Sequence, residues 1–377
     1  MATTTRMEWA DATTNTAVGC SHCSPGCDHC YAEKFAHRLS KNPVATKVYA
    51  GVVDERGKWT GKINSNFSEK MYPHRVPGKG KRVFVGSMTD IFHPNYPADN
   101  RDELFASIMA DCIFSNGHGH TYIVLTKRAQ AMAEYFSAGP EVLLRRWGKA
   151  GNGWIIVGDG ESESFEEYAE GQTIPQHGHE KYPSLRHEHL WPLPNLWLGV
   201  TVCNQSEADT KIPALLATPA AKRFVSLEPL LGAISLSYLQ VGQNDDIDAL
   251  RGIFHQADHW NPDHDGTPTG SKLDWVIVGG ETGPRSRPMH PDWVRSLRDQ
   301  CQEAAVPFFF KGWGGWKPSP SSRPLSWSTH MICSQTANVV ESSHTEKIRN
   351  TMWGISRVGK KRAGRLLDDR EWDEVPS

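Results

Sequence analysis

The sequence predicts an α/β fold: a full or partial β/α barrel of the TIM-like kind, with loop insertions. Two observations carry this. Short, almost wholly apolar runs recur along the chain, each closed by Gly or a polar residue, and amphipathic stretches follow several of them. Runs rich in Val, Ile and aromatics without polar alternation suit strands buried on both faces of a parallel sheet. The later runs begin near residues 196, 223, 275 and 307, about 27 to 52 residues apart, against roughly 30 per unit in a β/α barrel. A doubly wound open sheet is the alternative.

In chain order, an early strand precedes Gly19, and Tyr31–Ser40 is a helix candidate. The apolar runs are 83–87, 122–126, 196–200, 223–227, 275–279 and 307–311, giving about seven strands with the first. Asp102–Cys112 carries Leu104, Phe105, Ile108 and Met109 at helical spacing. Ala129–Ala138 and Pro291–Ala304 read as helices too, the latter with Pro291 as an early helical residue. Three segments break the rhythm as insertions: about 41–81, polar and Gly-rich around a hairpin; 151–194; and 240–272, rich in Asp, Gly and Pro. An extension follows from about 316 to 377. Its Ser-rich part, Ser319–Ser343, reads as mobile, and Lys347–Trp372 as packing back. The whole chain, 1–377, is read as one barrel domain.

Composition narrows the class. Of 377 residues, 38% are hydrophobic and 22% charged, and the mean hydropathy is −0.52, as in a globular protein with a core rather than a disordered chain. No apolar run approaches the roughly 20 residues that span a bilayer. The polar N-terminus lacks a secretion signal, so a cytoplasmic protein without a membrane partner is expected. With 41 Lys+Arg against 43 Asp+Glu, a globally basic nucleic-acid binder is excluded, although a local basic groove is not.

Four of the eight cysteines, Cys20, Cys23, Cys27 and Cys30, fall within one short run, and the others are scattered. A secreted disulfide framework is usually far shorter and spreads its cysteines, so a metal site is the better reading. The spacing Cys23-x3-Cys27-x2-Cys30 can hold three irons of a 4Fe-4S cluster. Ser24-Pro25-Gly26 supplies small, turn-forming residues that let backbone amides approach. This is the spacing of the radical S-adenosylmethionine (SAM) enzymes, which leave the fourth iron open to SAM. Cys20 offers a fourth thiolate, and a closed four-cysteine zinc site is the alternative. Zinc ribbons, however, usually separate their two Cys pairs by a dozen or more residues.

The chain resembles the phage-associated, radical-SAM-like three-Cys-motif proteins. The resemblance rests on Met7-Glu8-Trp9-Ala10-Asp11-Ala12-Thr13, Ser24–Glu33, Ser87–Phe92, Leu125–Arg128, Trp197–Thr201, Ser226–Leu231, Gly279–Pro284, Pro307–Lys311 and Gly364–Asp368. It runs from about residue 7 to 376, interrupted by the insertions. It implies a radical SAM-type barrel, a 4Fe-4S cluster, SAM, an electron donor, and a reaction in which SAM is cleaved reductively and hydrogen is abstracted from substrate. In that family the three cysteines match Cys20, Cys27 and Cys30, with an aliphatic residue often at position 23, so the family pattern and the radical SAM spacing differ over the third ligand. The family's Gln after the final-strand Lys is also missing here, where Lys311-Gly312-Trp313-Gly314 stands.

In a β/α barrel the C-terminal strand ends face the active site. That makes Ser87, Thr89, Asp90, Arg128, Thr201, Gly279, Gly280 and Glu281 candidates for binding the cofactor, and Lys127, Glu228 and Lys311 for catalysis. Asp90 or Thr89 could instead cap a helix. Two cations at a helix start, Lys127 and Arg128, run against the helix dipole, which favours a carboxylate or phosphate partner. Glu228 could bind hydroxyls or an amine, or simply pair with an Arg; Lys311 needs a carboxylate or ligand. Bare glycines at 279 and 280 would let N–H groups meet a phosphate, with Arg285 and Arg287 near. His177, His179, His187 and His189 read as a solvated loop rather than a second metal site. Trp313, Trp316, Trp327, Trp353 and Trp372 suit packing more than base stacking.

A nucleic acid or nucleotide substrate is expected from the resemblance, the strand-end cations and a basic C-terminal stretch (Lys347, Arg349, Arg357, Lys360, Lys361, Arg362, Arg365). The competing reading is a non-catalytic module, stabilised by zinc or iron–sulfur, that binds nucleic acid or another partner. A remote third is hydrolysis by Asp90 and Glu228 as paired carboxylates.

Overall fold

The computed structural model describes residues 3–5, 7–65, 72–115, 119–151, 155–158, 161–164, 190–256, 267–268, 270–319, 330–341 and 352–377. The protein is α/β, and its chain falls into two compact units. The first comprises Met1–His22, Tyr31–Gly199 and Thr218–Lys222; the second comprises Cys23–Cys30, Val200–Ala217 and Arg223–Ser377.

In the first unit the strands lie in the order β1 (Thr3–Thr4), β2 (Ala12–Thr14), β3 (Arg82–Val85), β4 (Thr121–Thr126), followed by the start of β5 (Leu196–Thr201). β1 is antiparallel to β2, whereas β2–β3 and β3–β4 are parallel. Every residue of β5 is buried, as its unbroken apolar run implies. Helices α1 (Tyr31–Ser40), α2 (Ala98–Phe114), α3 (Ala129–Phe136) and α4 (Pro140–Ala150) complete the unit. Their core is aromatic: Phe92, Phe105, Tyr135, Phe136 and Trp147 are buried with ring centroids 5.2–6.5 Å apart. The two polar rings satisfy themselves, since Trp147 donates to the Tyr135 hydroxyl at 2.8 Å and that hydroxyl donates to Asp102 at 2.7 Å.

The second unit holds the end of β5, then β6 (Lys222–Leu227), β7 (Trp275–Gly279) and β8 (Phe308–Gly312), with β6–β7 and β7–β8 parallel. Helices α5 (Gln205–Leu216) and α6 (Pro291–Glu303) belong to it. Asn204 caps α5 by accepting the Glu207 N–H at 3.0 Å. The far side of β8 is covered by the C-terminal segment, where the Phe310 N–H meets the Trp372 carbonyl at 2.8 Å and Phe308 N–H meets Glu374 at 3.0 Å. A covered strand edge cannot recruit another chain.

The segments read as insertions and as the tail carry small sheets of their own. In the insertion at about 240–272, Leu239–Val241, Asp245–Asp248, Ile253–His255 and Thr267–Pro268 make a four-stranded antiparallel sheet. Within the Ser-rich tail, His330–Cys333 and Val339–Glu341 form a hairpin in a second such sheet with Trp316–Pro318 and Met352–Arg357. The described part of 151–194 includes a hairpin, Ile155–Gly158 with Glu161–Ser164. Its four histidines, like Trp327, Lys347 and Arg349, lie outside the described residues. Among the described residues no helix is long and apolar enough to cross a membrane.

Candidate functional site

The first unit contributes one polar cluster at the ends of β3 and β4. Asp90 is buried, and its two oxygens accept four donors: Thr126 Oγ1 at 2.7 Å, the Phe92 N–H at 3.0 Å, the Lys127 N–H at 3.1 Å and Arg128 Nη1 at 2.9 Å. Asp90 does not cap a helix, because α2 begins only at Ala98, after Pro97. Arg128 spans from Asp90 to the cysteine run. Its Nη2 donates to the Ser21 carbonyl and hydroxyl, both at 3.0 Å, and its Nη1 lies 3.9 Å from Cys20 Sγ. The expected conflict between this cation and the helix dipole is thus resolved by a buried carboxylate.

The tautomer of His93 follows from its partners. Nδ1 accepts the Asn95 N–H at 3.0 Å, so the proton sits on Nε2 and is donated to Ser21 Oγ at 2.8 Å. Burial, with Arg128 adding to it, holds the imidazole below its usual range. Burial and Asp90 also push the Cys20 thiol up to about 11, against the opposing pull of Arg128.

Ser87 pairs its hydroxyl with the Asn15 side-chain amide at 2.9 Å, and its carbonyl accepts the Tyr31 hydroxyl at 2.9 Å. The Thr89 hydroxyl is buried and has no hydrogen-bond partner among the described residues. It is a polar group awaiting a partner. Lys127 is half-buried at the β4 end.

The second unit carries Cys23, Cys27 and Cys30 on one loop. A 3-10 turn at Pro25–Cys27, capped by Ser24, and a Cys30 N–H bond to the Cys27 carbonyl at 3.2 Å shape that loop. Cys23 is exposed, Cys27 buried and Cys30 intermediate, and none of the three is in a disulfide. Two clamps fasten the loop. Arg287 donates to the Pro25 carbonyl at 2.8 Å and to Asp28 at 3.0 Å, while gripping Glu281 with Nε at 3.0 Å and Nη2 at 2.6 Å. Glu281 also accepts the Arg287 N–H at 2.7 Å and His29 Nδ1 at 2.9 Å. Burial alone would raise the Glu281 pKa, but the bonds from Arg287 and His29 outweigh it and hold the carboxyl below its ordinary value. On the other side, Glu207 accepts the Cys203 N–H at 2.8 Å and Lys211 Nζ at 2.6 Å, and also binds Ser24. Lys211 in turn donates to the carbonyl of buried Thr201 at 3.2 Å.

Glu228 and Lys311 meet as an ion pair at 2.9 Å, so the predicted carboxylate partner of Lys311 is Glu228, and Glu228 pairs with a Lys rather than an Arg. Gly279 and Gly280 have packing reasons. A Cβ at 279 would lie 2.7 Å from Glu228 Oε1, and one at 280 would meet the Trp313 carbonyl. The Gly280 N–H is already bonded to the Gly312 carbonyl at 2.9 Å, which takes it out of any phosphate loop. Asp90 and Glu228 each have their own cation, Arg128 and Lys311, in separate units. Trp313, Trp316 and Trp372 are buried, and each donates its indole N–H to a backbone carbonyl, as packing residues do.

As a donor set, four thiols suit a thiophilic metal or cluster and not a hard cation. Among the described residues no group of three or more His, Cys, Asp or Glu is already drawn together for a metal ion. Sequence reasoning missed His29, Glu207, Ser21 and His93. The first and third lie inside the cysteine run, and Asn204-x-x-Glu207 is a helix-start pattern; His93 carried no signal.

The chain belongs to the family described as "Protein of unknown function (DUF5131)", whose model matches residues 4–376. No curated protein matches it. Two solved structures are similar: a cysteine-to-serine mutant of spore photoproduct lyase, 9% identical with a TM-score of 0.33, and spore photoproduct lyase complexed with dinucleoside spore photoproduct, 10% identical with a TM-score of 0.31. Each covers 81% of this chain and 75% of the other.

Proposed function

We propose that this protein is an iron–sulfur enzyme of the radical SAM type, barrel-like in architecture and cytoplasmic, that acts on a nucleobase or nucleotide in DNA or RNA. The observation that carries this is the Cys23–Cys30 loop. It presents three thiols at the radical SAM spacing, and Arg287 bonds its Pro25 carbonyl while Glu281 holds its His29 side chain and Glu207 its Ser24 side chain. Cys23, Cys27 and Cys30 would hold a 4Fe-4S cluster, with Cys20 as the alternative to Cys23. When bound, the cluster would supply the electron, taken from a separate donor, that cleaves SAM and starts hydrogen abstraction.

The remaining roles fall to this chain. The Thr89 hydroxyl, buried and without a hydrogen-bond partner among the described residues, would bind a polar group of SAM. Asp90 and Arg128 fix Ser21, and Ser87 and Thr201 stand at strand ends, each in its own unit. Glu281 acts by holding Arg287 and His29, while Gly279 and Gly280 keep the β7 end close-packed. Lys127 and the Lys311–Glu228 pair would bind phosphate or move protons.

The test is metal and acid-labile sulfide content of protein purified without oxygen, followed by incubation with SAM and dithionite. About four irons and four sulfides, with 5′-deoxyadenosine formed from SAM, are expected. Stoichiometric zinc without sulfide would overturn the reading and leave a binding module.

A further inference from the structure

We infer that the outer face of α1 is a stacking site for single-stranded nucleic acid. The inner face of this helix buries Ala32, Glu33 and Ala36. Its only acid, Glu33, is consumed there by His22 at 2.8 Å, Lys58 at 2.9 Å and the Trp59 N–H at 2.9 Å. The outer face presents Tyr31, Lys34, Phe35 and Arg38, all exposed and spaced i, i+3, i+4, i+7, so they form one stripe. Among the described residues the exposed large aromatics are Tyr31, 55% exposed, Phe35, 41%, and Tyr238. Two of the three therefore share one helix, four residues apart.

Exposed aromatic faces cost solvation unless something covers them, and these two are held in place. The Tyr31 hydroxyl is tied to the Ser87 carbonyl at the end of β3, and the Arg38 guanidinium sits 4.7 Å above the Phe35 ring. From Lys34 to Val53 the chain has no acid, while Lys34, Arg38, Lys41 and Lys47 are all exposed. This positive stretch belongs to a chain whose net charge is −2. Aromatic faces interleaved with cations that pair with no acid among the described residues match bases and phosphates of an unpaired strand. An apolar protein partner would call for aliphatic contact, and on the α1 face there is none.

The inference deepens the nucleic-acid part of the reading above and rests on it for the class of polymer, but it does not depend on the cluster. Fluorescence anisotropy of labelled single-stranded DNA and RNA 12-mers with the full chain tests it. With two or three phosphates neutralised, raising salt from about 50 to about 200 mM should weaken binding by about 7- to 18-fold. Phe35→Ala should weaken it at least about fivefold, and Lys34→Glu with Arg38→Glu should abolish it. Tyr238→Ala should leave it unchanged, and melting curves confirm that each variant folds. Binding insensitive to the stripe variants, or absent for both oligomers at the lower salt, overturns the inference. So does sedimentation with phosphatidylserine vesicles in place of oligonucleotide binding, which would make the face a membrane-docking surface. A finding of zinc in place of iron leaves this measurement untouched, so the two readings fail separately.

Discussion

A methyl group at position 280 would collide with the carbonyl of Trp313 and the amide of Gly314, both backbone, whereas one at 279 would meet the movable end of the Glu228 side chain. Gly280→Ala should therefore cost about 1–3 kcal/mol, and Gly279→Ala distinctly less, the order being read from urea midpoints. The same contrast between rigid and movable partners governs Arg287. It supplies three of the hydrogen bonds that keep the buried Glu281 carboxylate satisfied. One of these comes from its backbone and survives truncation. Arg287→Ala strips the other two and leaves a buried charge with His29 as its remaining side-chain partner, a loss of about 2–4 kcal/mol. Arg287→Lys should recover only part, since an ammonium cannot grip two carboxylates and a carbonyl in one plane. Equal midpoints for the Lys variant and the parent would remove the clamp from the account.

Among elements, the strands are the most legible, because a strand buried on both faces is written as an unbroken apolar run, and 196–200 or 275–279 can hardly be anything else. Two helices are harder to see in the sequence. In α5, Pro213 interrupts the pattern, and the helix survives because the cap at Asn204 and the buried Ala208, Ile212 and Leu215 outweigh it. Asn204→Ala should accordingly cost about 1 kcal/mol in thermal or urea unfolding. In α4 the signals are present, with Gly139 before Pro140 and Leu143, Leu144 and Trp147 buried on one face, but the helix follows α3 so closely that the two run together in the sequence. The small sheets are invisible because their strands have two to six residues and little alternation. A turn outside any predicted element gives the pH prediction. His74, in the Pro73–Arg75 turn, bonds Ser107 of α2 at 2.8 Å, and burial, then Arg75, lowers its pKa to about 4. The unfolded chain binds this proton near pH 6.5 and the folded one only near 4, so stability should fall as pH drops between those values. The loss reaches about 2 kcal/mol by pH ~4.5. His74→Gln should flatten that part of the pH–stability curve, and an unchanged slope would contradict the assignment.

At the scale of the molecule, what the sequence displays of the site is its contiguous part. Cys20 to Cys30 stand together and can be read at once, whereas the groups that fasten Cys23 to Cys30 come from residues 207 to 287, and no local pattern joins Asp28 to Arg287 across 259 positions. The same separation bears on which thiols serve together. Cys23, Cys27 and Cys30 share one fastened loop in the second unit, while Cys20 belongs to the first, where its sulfur bonds the Ser21 carbonyl at 3.5 Å and faces Arg128. A single-substitution series, Cys→Ala at each of the four positions, with iron, zinc and sulfide measured on protein purified without oxygen, turns this into a choice. If the loop is the cluster's seat, Cys20→Ala keeps its iron and Cys23→Ala, Cys27→Ala and Cys30→Ala lose it. A closed four-thiol site behaves otherwise, because removing any one ligand from a tetrahedral set disables it, and all four variants then lose metal together. Retention in Cys23→Ala with loss in Cys20→Ala would move the third ligand out of the loop and make Arg128, beside Cys20, a neighbour of the cluster.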